Sequence, residues 1–167
     1  MKSLYNAATA MIFGSLLALF AAQSVYADQD NYVKVGGIVS HIGSDGYTDE
    51  HGSQQSWNER KNHIFGLEIV DEETQVGLGA MRFSNSYGNE GGLVYGSKYW
   101  KLNESVKVGV LAGVTYGYED NQMNSRLRIG NKMHMMLAPT IKVESEGAFS
   151  QVSAYGNAVV MTVGFKF

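Results

Sequence analysis

His41 and Ser86 are the residues of this chain whose types and placement could do chemistry together. An imidazole is a base near neutral pH, and a hydroxyl within its reach can be activated or can orient a polar substrate group. His41 closes an alternating run, YVKVGGIVSH (32–41), and Ser86 lies in RFSNSYGNEGG (82–92), where a second alternating run gives way to a polar turn. Chain direction brings both to the same end of an up-and-down sheet. Contact between them does not follow from it, because an Asn-Ser pair at a strand end ordinarily forms the turn itself. His51, His63 and His134 read as structural or exposed. Asp45, Asp49, Glu50 and His51 lack the spacing of a recognised metal loop and read as a solvated acidic loop. Met133, Met135 and Met136 read as lipid-facing or lumen-filling side chains. No metal or cofactor is expected.

The elements that must position the pair are strands. Read at a period of two, the chain gives eight alternating segments: 32–41, 63–70, 75–83, 93–100, 105–117, 132–143, 148–155 and 158–167. In the first, Val33, Val35, Gly37 and Val39 share one face, and Lys34, Gly36, Ile38 and Ser40 the other. In the fifth, Val106, Val108, Val110, Ala112 and Val114 oppose Lys107, Gly109, Leu111, Gly113 and Thr115. The spacers alternate long (42–62, 84–92, 118–131) and short (71–74, 102–104, 144–147), as they do when one barrel end carries external loops and the other periplasmic turns. The predicted fold class is therefore all-β: an eight-stranded antiparallel up-and-down transmembrane β-barrel with both chain ends on the periplasmic side.

In that arrangement Lys34, Glu68, Lys107, Thr162 and Lys166 point inward. Trp57, Tyr87, Tyr95, Tyr99, Trp100, Tyr116, Tyr118 and Tyr155 fall near strand ends, where interfacial girdles sit. Inner-face glycines, Gly66, Gly77, Gly79, Gly96, Gly109 and Gly113, are expected to leave room in the lumen. The competing arrangement is a soluble secreted sandwich or lipocalin-like barrel, whose strands also alternate.

Residues 1–27 read as a secretory signal peptide, with Lys2, an apolar stretch from Ala10 to Ala22 and small residues before Asp28. Its removal takes away one of 13 basic and none of 16 acidic residues, leaving a formal charge of −4 on residues 28–167, which form one domain. So few and scattered basic residues exclude a phosphate-tracking surface, and no nucleic-acid partner is expected. The chain has no cysteine to staple a small fold. A terminal Phe167 ending an alternating strand resembles the signature read by the outer-membrane barrel assembly machinery.

Several stretches, in order, resemble the lipid A palmitoyltransferase (PagP) family of eight-stranded outer-membrane barrels: SHIG (40–43), WNERKNHIFGLEI (57–69), GLGAMRFSNSYGN (77–89), VYGSKYW (94–100), GVLAGVTYGYEDN (109–121) and MLAPTIKV (136–143). The resemblance implies transfer of a palmitoyl chain from a membrane phospholipid to lipid A by a monomer that holds the chain inside the barrel. Carried over by position, it makes His41 and Ser86 the catalytic pair, with Asn85 where the family has an aspartate. It assigns Arg60 and Glu59 to headgroup contact or conformation and Gly96 to the floor of the acyl cavity. Asn85 cannot ionise, so it can orient a neighbour only by hydrogen bonding. The family's N-terminal clamping helix has no counterpart, since the first strand begins a few residues after Asp28. A second expectation keeps the fold without catalysis: a structural or surface-binding barrel using its long loops, including 118–131 with Arg126 and Arg128.

Overall fold

Alternating apolar and polar residues give each segment one face that suits a core and one that suits an apolar exterior, and the segments pair edge to edge until no edge remains. A computed structural model describes residues 28–43, 46–48, 51–56, 63–118, 122, 128–129 and 133–167. The strands are β1 (Gln29–His41), β2 (Gly46–Thr48), β3 (Gln54–Ser56), β4 (Ile64–Asp71), β5 (Val76–Ser84), β6 (Glu90–Lys101), β7 (Val106–Tyr116), β8 (Met133–Ser145), β9 (Ala148–Tyr155) and β10 (Ala158–Lys166). Eight of them close into an antiparallel barrel in the order β1-β10-β9-β8-β7-β6-β5-β4, while β2 and β3 form a separate hairpin within the first long spacer. That hairpin was not foreseen. The signal-peptide residues 1–27 lie outside the described residues, as do Trp57, Glu59, Arg60, Asp45, Asp49, Glu50 and Arg126.

The lumen divides into two halves. Near the short turns it is packed with ion pairs and tyrosines. Glu68 sits 3.4 Å from the Lys34 ammonium and 3.0 Å from that of Lys142, all three fully buried. The Tyr99 hydroxyl donates to Glu68 at 2.8 Å. Closer to the turns, Lys107 pairs with Glu144 at 2.8 Å and Asp30 at 3.4 Å, and Lys166 pairs with Asp30 at 2.7 Å. Charges inside a low-dielectric barrel persist only when paired, so these clusters bind β1, β4, β7, β8 and β10 to one another across the lumen.

Three expectations about side-chain direction are corrected. First, a register shift between Lys34 and Gly36 in the β1–β10 ladder inserts Val35 as a bulge. Alternation then inverts: Val39 and His41 line the lumen, while Ile38 is 61% exposed outside. Second, Tyr95 and Tyr99 are not girdle residues but are buried inside the lumen, and Tyr87, Tyr118 and Tyr155 line its open end; Trp100 does face out. Third, two of the inner glycines, Gly79 and Gly109, make room for these tyrosines rather than for empty space, while Gly113 does line the cavity. A Cβ on Gly79 would stand 2.8 Å from Tyr95 Cε1, and one on Gly109 would stand 2.6 Å from Tyr99 Cδ1.

Candidate functional site

Above the ion pairs the lumen opens into a cavity of about 750 Å³. Its walls are apolar, from Ile64 on β4, Met81 on β5, Leu93 on β6, Leu111 on β7, Met136 on β8 and Val160 on β10. Each of these sits at an inward position of its strand and lines the cavity. His41, Asn85, Ser86, Tyr87, Tyr118 and Tyr155 line the loop end, and Lys34, Gln151 and Thr162 line the inner end. An apolar cavity of this size with a few polar groups at its ends suits a small amphiphile.

His41 and Ser86 lie at the same end of the barrel, as chain direction implies, and both line the cavity. The β1 bulge is what turns His41 inward, because an unbroken alternation from Lys34 would have set it on the opposite face. Ser86 is buried at the start of the loop after β5. Asn85 behaves differently from a residue that orients a base. Its Oδ1 accepts from the backbone N–H groups of Tyr87 (3.1 Å) and Asn89 (2.9 Å), and its Nδ2 donates to the Gly117 carbonyl at 2.9 Å. The side chain is committed to the backbone of two loops, its amide supplying both the acceptor and the donor, where a carboxylate could only accept.

Gly96 does not form the cavity floor. It is exposed on the outer face of β6, between the inward-facing Tyr95 and Ser97, because β6 alternates without a break. The floor is made instead by Lys34, Gln151 and Thr162. Sequence reasoning placed Lys34 and Thr162 inward but missed Gln151, Lys142, Asp30 and Glu144. Lys142 carried a usable signal, as the one charged residue within MHMMLAPTIKV. His134, read as structural or exposed, is fully buried.

Aromatic side chains join the loops over the mouth. Tyr47 of the β2–β3 hairpin meets Tyr87 edge-on with ring centroids 4.5 Å apart, and Tyr118 lies 6.2 Å from Tyr87 and 6.4 Å from Phe83. Burial raises the Tyr87 and Tyr118 phenols above their ordinary range, so both stay neutral hydrogen-bonding groups at physiological pH.

Among the described residues, the wall beside the cavity is interrupted twice. On the β9 side, the β8 ladder runs from Ser145↔Ala148 only to Thr140↔Ser153, although β8 pairs with β7 up to Met133↔Tyr116. Pro139, the chain's single proline, stands one residue beyond the last pair, where a missing N–H suits a ladder that has ended. On the far side, the β1–β4 ladder among the described residues stops at Lys34↔Gly66, next to the bulge. Both gaps lie level with the cavity, and the Tyr155 hydroxyl reaches across the first to the Met135 carbonyl at 3.2 Å.

No protein-family model matches the chain, and no curated protein matches it. Among solved structures the chain is similar to Ail, the attachment invasion locus protein of Yersinia pestis, in a crystal structure with the heparin analogue sucrose octasulfate. That likeness has a TM-score of 0.42 at 11% identity and covers 84% of this chain and 99% of that one.

Proposed function

We propose that this chain is an outer-membrane barrel that takes a single hydrocarbon chain of an amphiphile into its upper lumen. The observation that carries the reading is the apolar cavity of about 750 Å³ flanked by two gaps in the barrel wall. The outer face supports a lipid surround. Ile38, Phe65, Leu137, Ile141 and Phe165 are each more than half exposed on it, an amount of outward apolar surface that suits a hydrocarbon surround better than water. A chain in the surrounding leaflet would then reach the cavity sideways through a gap, without its polar headgroup crossing the hydrocarbon.

Transfer of a palmitoyl chain from a phospholipid to lipid A is the catalytic form of this reading, supported by His41 and Ser86 at the cavity mouth. His41 would take the proton of the acceptor hydroxyl as that oxygen attacks the donor ester carbonyl. The ester C–O bond then breaks, the His41 imidazolium returns that proton to the departing oxygen to release a lysophospholipid, and Ser86 would orient the carbonyl. A second, non-catalytic form is favoured by Asn85, whose amide is committed to loop backbone rather than to a base. The barrel would then hold or display its ligand without chemistry.

One assay separates the two forms. The chain is expressed in a strain lacking its own palmitoyltransferase, and lipid A is analysed by mass spectrometry. Acyl transfer requires an added chain that disappears with His41→Ala or Ser86→Ala. Folded barrel in the membrane without any added chain rejects catalysis, and activity surviving both substitutions rejects the site.

A further inference from the structure

The inner end of the cavity carries a feature that a hydrocarbon tail does not need. Among the described residues, the luminal ion pairs comprise Lys34, Lys107, Lys142 and Lys166 against Asp30, Glu68 and Glu144. The pairs near the turns balance, Lys107 and Lys166 against Asp30 and Glu144. The upper cluster sets two cations, Lys34 and Lys142, against the one carboxylate of Glu68, which leaves an excess of one positive charge.

That excess falls on Lys34. Lys142 is the nearer to Glu68, at 3.0 Å, and its ammonium also lies over the rings of Tyr32 and Tyr99, 3.7 and 4.1 Å from their centroids. Lys34 stands 3.4 Å from the same carboxylate oxygen, donates to Gln151 Oε1 at 2.9 Å and lies farther from a ring, 5.2 Å from the Tyr95 centroid, so a third N–H donor remains. Of these two lysines, it is Lys34 that lines the cavity. Beside it on the floor stands Thr162, 4% exposed, whose hydroxyl is buried without a hydrogen-bond partner. An unbalanced buried ammonium and an unpartnered hydroxyl at one end of an apolar cavity are both relieved by the same group, a single anionic acceptor.

We propose that the floor formed by Lys34, Thr162 and Gln151 is a carboxylate site, and that the lumen takes a free long-chain fatty acid head first. The carboxylate accepts from the Lys34 ammonium and the Thr162 hydroxyl, and the alkyl chain runs along Ile64, Leu93 and Met136 towards the mouth. This orientation is opposite to that of an ester-linked chain entering tail first. The inference rests on the lumen holding a chain, not on acyl transfer.

The test uses the full folded chain in detergent micelles, with palmitate and methyl palmitate as probes and native mass spectrometry to count bound ligand. The ester has the same chain but no charge. Wild type is expected to prefer the acid by about tenfold to a hundredfold, the range of a charge-assisted buried contact. Lys34→Met, which leaves Glu68 paired with Lys142, is expected to abolish the preference and still bind the ester. Thr162→Val is expected to lose a severalfold part of it. Equal binding of acid and ester by wild type, or an undiminished preference in Lys34→Met, overturns the carboxylate site alone. If neither probe binds wild type, the chain-holding lumen falls with it. Circular dichroism reports whether Lys34→Met folds; if it does not, Thr162→Val decides, and a preference equal to wild type overturns the site.

Discussion

Replacing Glu68 by glutamine removes the charge of the upper luminal cluster while keeping its shape and the oxygen that accepts from Tyr99. Two ammonium groups then remain buried, at 3.4 and 3.0 Å from a neutral amide, with only dipoles and ring faces to stabilise them. Breaking a buried pair by removing one partner costs about 3–5 kcal/mol, and two stranded cations place Glu68→Gln at the upper end. Lys142→Met leaves Lys34 and Glu68 as a balanced pair. It forfeits one charged hydrogen bond and the contacts with the Tyr32 and Tyr99 rings, about 2–3 kcal/mol together. The double variant strands one cation rather than two, so its cost should fall below the sum of the singles by about 2 kcal/mol. Reversible urea unfolding in lipid vesicles, followed by tryptophan fluorescence, measures all three. A Glu68→Gln cost under about 1 kcal/mol, or singles that add to within about 0.5 kcal/mol, would refute the assignment of the cluster as the brace of the lower barrel.

Four further outcomes are expected. Asn85→Asp keeps both acceptor contacts but sets a carboxylate against the Gly117 carbonyl, costing about 1–2 kcal/mol in thermal unfolding, and Asn85→Ala, which strands two backbone N–H groups, costs more. Gly79→Val drives Tyr95 from a site where it is 1% exposed and should destabilise by about 1–3 kcal/mol, read as a lowered urea midpoint. Glu72, in the turn after β4, has its carboxyl raised above the ordinary range by a hydrogen bond with Asp30. Its stabilising contribution is therefore complete below about pH 4.3 and lost as pH rises through the raised value, so Glu72→Gln should flatten melting temperature against pH in that window. Deleting Val35 removes the bulge and should extend β1–β4 pairing beyond Lys34↔Gly66, giving slower hydrogen exchange at Phe65 and Ile64 while the β10 ladder keeps His41 over the lumen.

The number, order and approximate bounds of the barrel strands were legible because a closed sheet imposes a period of two on nearly every segment. The clean alternation of 105–117 became β7, Val106–Tyr116, with the expected faces. What failed depends on partners that a single segment does not reveal. The bulge at Val35 is a property of two strands in register, and YVKVGGIVSH contains two adjacent glycines but no sign of where alternation inverts. Tyr95 and Tyr99 were read as girdle residues because aromatic rings near strand ends suit an interface. They turn inward because Gly79 and Gly109 on adjacent strands vacate the volume that their rings fill. Of the site, the shared end of His41 and Ser86 was legible from chain direction alone. The commitment of Asn85 to Gly117 was not, since it joins loops 32 residues apart.

The two halves of the barrel answer different physical demands. Near the turns, complete ladders surround a lumen filled by tyrosines and paired charges, so both wall and core resist opening. At the level of the cavity the same strands give up pairing in two places, each with a local cause in the chain: the bulge at Val35 and Pro139 beyond Thr140. Unpaired backbone groups facing lipid are costly, and they persist only where surrounding structure holds them in place. The ion clusters supply that hold. Their cross-lumen contacts join β1 to β4, β7, β8 and β9 below the gaps, so the strands can separate above without unravelling below. On the proposed reading, stability and access belong to opposite ends of the same eight strands, and Lys34, which belongs to the brace and also lines the cavity, is where the two meet.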